Sequence, residues 1–383
     1  MQVSQAFQDQ FGEKPAFVVK APGRINLIGE HVDYLNGCVM PIAIDRHIEL
    51  AVAPTNSHRC VILPLGLGLS EPVEFETNLL IQRERADHAW LNYVMGVVSG
   101  YQQAGVDVSG FRAVITTDLP TGAGLSSSAA LETAFAVAIE ELSGVRQEVV
   151  DRALICQRAE HEWARVPCGI MDQLAVGAGR RGQVLHLDCR DLRLDYFPIP
   201  EGVSILTADT GVKHALSDGE YRKRRESCEE AARVLGIDSF RGLSMDRVER
   251  GAERLGDPLF RRVRHVVSEM DRVTRFAEAL QADNLDSIGP LMKASHDSLR
   301  DDYEVSCEEL DCLVEAAYSF GSKRGLIGSR MTGGGFGGST VSLVRADSAS
   351  ALQVELENSY KERFGREPNC FITSAVDGAR TIS

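Results

Sequence analysis

The sequence has no excess of basic charge. Against 41 Lys and Arg stand 55 Asp and Glu, a formal net charge of -14 over 383 residues. That balance excludes a nucleic-acid or anionic-membrane partner, since either calls for basic patches. It still permits a negatively charged substrate received by local cations and backbone N–H groups. No apolar run approaches the roughly 20 residues of a membrane span. The opening stretch "MQVSQAFQDQFGEKP" lacks both the apolar core and the basic flank of a signal peptide. The nine cysteines are odd in number and no pair has C-x-x-C spacing. A disulfide framework is thereby excluded in favour of reduced thiols, and a soluble cytoplasmic protein is expected. Several catalytic signatures are missing too. There is no G-K-S or G-K-T of a Walker loop, no V-A-I-K, H-R-D or D-F-G of the protein kinases, and no Cys/His set with zinc spacing. "HEWAR" fails as H-E-x-x-H because its fifth residue is Arg165.

What is present reads as an ordinary globular chain, 44% hydrophobic and 25% charged, whose length favours two domains. Residues 1–15 predict a short helix. "AFVVKAP", "INLIG", "CVMPIAI" and "HIELAVAP" predict four strands, and 88–105 has the apolar period of a helix. A strand over 110–120 runs into the turn "TGAG", and two helices follow over 125–144 and 146–165. A strand pair and a Pro-rich exit over 185–200 mark a composition shift, which divides the chain into domains 1–200 and 201–383. The second half offers a strand over 203–211, charged helices, a glycine-rich loop before "STVSLV", a helical stretch to about 364 and a last strand near 369–376. Irregular alternation of strands and helices predicts α+β layers rather than a doubly wound sheet.

Three stretches carry chemistry. "LPTGAGLSSSAALE" (119–132) has glycines that permit positive φ, then serines opening a long helix. A helix N-terminus offers unpaired N–H groups and a positive dipole end, so this is an anion site or a serine-capped turn. "TGGGFGGS" (332–339) contains G-x-G-x-x-G but is followed by a strand pattern, which is wrong for a dinucleotide fold. Five glycines in six residues predict a loop that something approaches closely. "GRINLIGEHVDY" (23–34) gathers Arg24, Glu30, His31 and Asp33 around one short strand, as surface ion pairing or as a binding site.

Taken in order, "APGRINLIGEHVDY", "PTGAGLSSSAALE" and "MTGGGFGGS" resemble the GHMP small-molecule kinases, and the first resembles their galactokinase branch. "CGIMDQ" (168–173) and "SDGEYRKRRESCEEA" (217–231) extend the likeness over nearly the whole chain. The resemblance implies a two-domain GHMP kinase fold with the active site in the cleft between the domains. It implies transfer of the ATP γ-phosphate to the anomeric hydroxyl of D-galactose, with magnesium, by a monomer or weak homodimer. Carried over residue by residue, it assigns the nucleotide to Gly122, Ala123, Gly124, Leu125, Ser126, Ser127, Ser128 and Trp90. Magnesium falls to Ser128 and Glu160, and catalysis to Asp172 as base with Arg24 beside it. The sugar falls to Glu30, His31, Asp33, Asp172 and Tyr221. Ser339 departs from the cysteine of many relatives, with no functional consequence expected, and Leu91 from their alanine. Kinases of N-acetylgalactosamine or arabinose, and non-catalytic regulators that lack a serine–alanine step, share the scaffold. Here Ser128-Ala129 is intact.

Overall fold

The computed structural model describes residues 2–84, 88–120, 122–213 and 217–382. In chain order the first half runs α1 (Val3–Phe11), β1 (Phe17–Asn26), β2 (Cys38–Val39), β3 (Pro41–Pro54), β4 (Arg59–Leu63), β5 (Val73–Glu76), α2 (Leu91–Gln103) and β6 (Phe111–Thr117). It continues through α3 (Ser127–Ser143), α4 (Val149–Glu162), α5 (Met171–Ala178), β7 (Gln183–Asp188) and β8 (Arg193–Pro198). The second half runs β9 (Val203–Lys213), α6 (Ser217–Leu235), α7 (Met245–Arg250), α8 (Ala252–Leu255), α9 (Leu259–Gln281), α10 (Leu285–Asp301) and α11 (Glu308–Phe320). It closes with β10 (Leu326–Thr332), β11 (Gly337–Arg345), α12 (Ala349–Phe364), β12 (Asn369–Thr373) and β13 (Arg380–Ile382).

Period-two alternation builds the first sheet, of order β13-β1-β3-β6-β4-β5. Val18, Ala51 and Val114 point to the face covered by Val3, Ala6 and Phe7 of α1. Their neighbours Val19, Leu50, Val52, Ala113 and Ile115 point to the other face, against the helices that carry Val94, Phe135 and Ile155. The α+β layering is as expected, but the strands are longer than their patterns suggested. "AFVVKAP" and the start of "INLIG" form the single strand β1, and "PIAI" and "HIELAVAP" form β3. The break that the sequence showed between the first pair is a register shift between Pro22 and Arg24, a bulge that leaves the strand continuous.

A second sheet, β10-β11-β9-β12, is covered on one face by α11 and α12 through Leu313, Leu352 and Leu356. Its other face joins Val341 and Leu343 to the core of the first sheet, beside Phe276 and Leu291 of α9 and α10. The closing strand β13 returns to pair with β1. Among the described residues no helix is long and apolar enough to cross a membrane. The bulge in β1, the start of α3, the start of α5 and the β10–β11 turn all meet at one place.

Candidate active site

Gly23 occupies the bulge, where a Cβ would lie 2.4 Å from Leu119 and 2.9 Å from the Leu125 carbonyl. Only glycine lets the 122–126 loop come this close, and the Arg24 N–H then donates to the Leu125 carbonyl at 3.1 Å. The Arg24 side chain is 5% exposed. Its Nε and Nη2 donate to the two oxygens of Asp172 at 2.7 and 2.8 Å, and its Nη1 to the Gly124 carbonyl at 2.6 Å. The forked guanidinium thus ties strand β1 to both the loop and α5. Asp172 sits in the first turn of α5, where the positive helix end favours a carboxylate. It caps nothing; its second oxygen accepts from the Ser126 hydroxyl at 2.5 Å.

Around the loop, Gly122 and Gly124 take φ of 82° and 71°, and Ser126 reaches 58° just before α3. Thr121 lies outside the described residues. Ser128 Oγ donates to Glu160 Oε1 across 3.3 Å, and Gln173 Nε2 donates to Glu160 Oε2 at 2.7 Å. Burial first, and Asp172 second, hold the Glu160 carboxyl up to about 7. Behind it the fully buried Glu132, which accepts from the same Gln173 amide, is pushed well above the usual carboxylate range by burial and by Glu160.

On the other side of Arg24, Glu30 is 2% exposed. Its Oε1 accepts from the Gly333 N–H at 2.8 Å and the Thr332 hydroxyl at 3.1 Å, with Arg330 Nη1 at 3.5 Å. Burial still raises its carboxyl above the ordinary value. Asp33 is held up to about 7 by burial and then by Asp172. It fills the space over Gly169, where a Cβ would lie 1.7 Å from its Oδ2. His31 and Tyr221 face each other with ring centroids 5.4 Å apart.

The glycine run is the seam between these parts. A Cβ at Gly333 would meet the Gly124 carbonyl at 3.0 Å, and one at Gly338 the Ala123 carbonyl at 3.2 Å. Ser339 reinforces the seam, its hydroxyl donating to the Ala123 carbonyl at 2.8 Å. Gly335 faces Val305, whose carbonyl oxygen a Cβ would meet at 2.2 Å. Two adjoining cavities result. One, of about 250 Å³, is lined by Glu30, His31, Asp33, Tyr221 and the 165–169 segment. The other, of about 350 Å³, is lined by Gly122, Gly124 and Leu125 through Ser128. Arg24, Glu160 and Asp172 line both.

Of the assigned nucleotide residues, two line neither cavity: Trp90 packs on the first core, and Ala123 is buried within the loop. The sequence reading missed Thr332, Arg330 and Gln173. Thr332 and Gln173 adjoin residues already singled out and were findable. Arg330 lies in a strand pattern with nothing to mark it as fully buried.

Residues 5–54 match the galactokinase galactose-binding signature, 92–180 the GHMP kinases N terminal domain and 276–362 the GHMP kinases C terminal domain. The galactokinase of Bos taurus is 41% identical over 382 residues, which cover 99% of this chain and 95% of that one. The galactokinase of Chloroflexus aurantiacus is also 41% identical, with 98% and 96% covered. The structure of Lactococcus lactis galactokinase complexed with galactose superposes with a TM-score of 0.93 at 31% identity, covering 99% of this chain and 98% of that one. A mevalonate kinase structure, at 17% identity and a TM-score of 0.65, shares the fold alone. With its motifs converging on one site and its whole length matched, this chain belongs to the galactokinases of the GHMP kinase family.

Proposed function

We propose that this ATP-dependent sugar kinase phosphorylates D-galactose at its anomeric hydroxyl, with Asp172 as the base that takes the hydroxyl proton. The observation that carries the reading is the shared wall: Arg24 and Asp172 line the cavity rich in acceptors and the cavity floored by the helix N-terminus. A sugar offers hydroxyl donors, for which carboxylates are strong acceptors. Glu30 and Asp33 serve there, with His31 beside them and Tyr221 closing the side.

The triphosphate lies over Gly122 to Ser128, where loop N–H groups and the α3 dipole receive negative charge. Arg24 orients the Asp172 carboxylate through two bonds and adds positive charge next to the transferring phosphoryl group, a placement that can contribute roughly 10³–10⁵ in rate. Ser128 Oγ and Glu160 Oε1, 3.3 Å apart, are hard oxygen donors that would hold magnesium. Glu160, crowded by Asp172, gains from a cation that favours its charged form. When bound, magnesium neutralises charge on the phosphates. We place the domains at 1–200 and 201–383, with both cavities between them. The enzyme is read as cytoplasmic, acting as a monomer or weak homodimer.

A coupled assay of ADP release across D-galactose, N-acetylgalactosamine, arabinose and glucose tests the reading. Turnover is expected to be highest with D-galactose. Preference for another sugar would reassign the substrate, and binding without turnover on any sugar would make the protein a sensor.

A further inference from the structure

We infer that Tyr34 and Tyr303 are positioning residues which hold His31 as the neutral imidazole protonated on Nε2, and through it fix the glycine loop against the sugar cavity. The inference rests on the sugar-cavity reading above, but its first test requires no substrate.

The direction of each hydrogen bond follows from its neighbour. His31 Nε2 lies 3.2 Å from the Gly334 carbonyl oxygen, which can only accept, so Nε2 carries a proton. Burial, and after it the charge of His265, hold the ring's pKa down to about 3, so the imidazole is neutral and Nδ1 is a bare acceptor. Nδ1 is 3.1 Å from Tyr34 Oη, and Tyr34 therefore donates to it. Having used its single hydrogen, Tyr34 must accept from Tyr303 Oη at 2.8 Å. Tyr303 in turn has only acceptor capacity left for Cys228 Sγ at 3.3 Å. The chain runs one way, from the Cys228 thiol through Tyr303, Tyr34 and His31 to the Gly334 carbonyl.

Neither Tyr34 nor Tyr303 lines the cavity, so neither is placed to touch the sugar. Tyr303 is fully buried, its ring 4.5 Å from that of His265 and 4.9 Å from that of His31. Two residues on, the Val305 carbonyl accepts from the Phe336 N–H at 2.7 Å. The 303–305 segment thus grips the glycine loop twice, directly at Phe336 and through the relay at Gly334. His31 itself sits at φ 61°, a backbone that non-glycine residues seldom adopt, so its ring is aimed by the loop and locked by the relay. With both ring nitrogens engaged inside the protein, His31 shapes the cavity through Gly334.

Nitrogen-15 NMR of substrate-free protein, with the His31 signal assigned by its loss in His31→Gln, is expected to show the proton on Nε2 and a bare Nδ1. A proton on Nδ1 would reverse the chain and overturn the inference. Tyr34→Phe leaves Nδ1 without a donor and should raise the galactose KM about tenfold, with kcat within about threefold and the ATP KM unchanged. Tyr303→Phe, which leaves the Tyr34 donor in place, should act in the same direction but less. A merely structural lesion would instead lower kcat at constant KM. That pattern, or an unchanged galactose KM in both folded variants, would refute the positioning role. The NMR result stands whichever sugar the panel selects, so failure of the relay and failure of the substrate assignment are separable.

Discussion

The two cavities share a wall and differ in the chemistry of everything else. On one side Glu30, Asp33, Asp172 and Glu160 crowd together, and burial keeps Glu30 and Asp33 above their ordinary pKa. On the other, glycines, serines and the start of α3 supply donors and, among the described residues, no further carboxylate. The glycines differ as well. Among the described residues Gly124 has only the Thr332 carbonyl, 3.8 Å away, near the position of a Cβ, whereas Gly335 is pressed on Val305. In the proposed reading one set leaves backbone N–H groups open to the nucleotide, and the other lets two segments of protein pack. The lesson is that similar composition serves opposite ends. One side accepts hydrogens and the other donates them, and the proposed reaction falls where Arg24 and Asp172 line both.

The largest effect should come from the shared wall. Asp172→Asn keeps shape and bonding to Ser126 but removes the base and the charge facing Arg24, so kcat should fall about 10²–10⁴-fold. Near-normal turnover would leave the wall without its proposed chemistry. A smaller effect should distinguish the sides. Ser128→Ala removes one oxygen beside Glu160 and should raise the magnesium requirement roughly 10- to 100-fold, while galactose affinity measured without nucleotide stays put. Loss of galactose affinity in that variant would mean that the two cavities are one.

The smallest is a pH effect confined to the sugar side. Asp33 is held up to about 7, so below that value it increasingly carries a proton and accepts a sugar hydroxyl less well. His31, at about 3, stays neutral and contributes nothing over this range. Galactose Kd, measured calorimetrically without ATP, should rise about threefold to tenfold from about pH 8 to about pH 6. A flat profile would remove Asp33 as an ionised acceptor.

Much of this site could be read before the structure. Arg24, Glu30, His31, Asp33 and the serines lie in short motifs where local sequence sets local geometry. Positive φ at Gly122 and Gly124 is the conformation that glycine-rich spelling foretells. What could not be read is contact between distant segments. Gly333 touching Gly124, Arg330 reaching Glu30 and Tyr303 reaching Tyr34 each join residues far apart in the chain. No local periodicity encodes such pairings. The fold shows the same division. The layers follow from alternation and helical period, but the continuity of β1 through Pro22 and Gly23 depends on a bulge, and the return of β13 to β1 on pairing across almost the whole chain.

The central claim is that Asp172, which the resemblance assigns to the sugar as well as to catalysis, contributes to the chemistry far more than to holding either substrate. Calorimetric titration of Asp172→Asn with galactose, and separately with magnesium-ATP, tests it most directly. The account predicts Kd values within about threefold of the parent for both ligands, in the same preparation whose turnover is lost. Loss of galactose binding that matches the loss of turnover would contradict it and make Asp172 a binding residue.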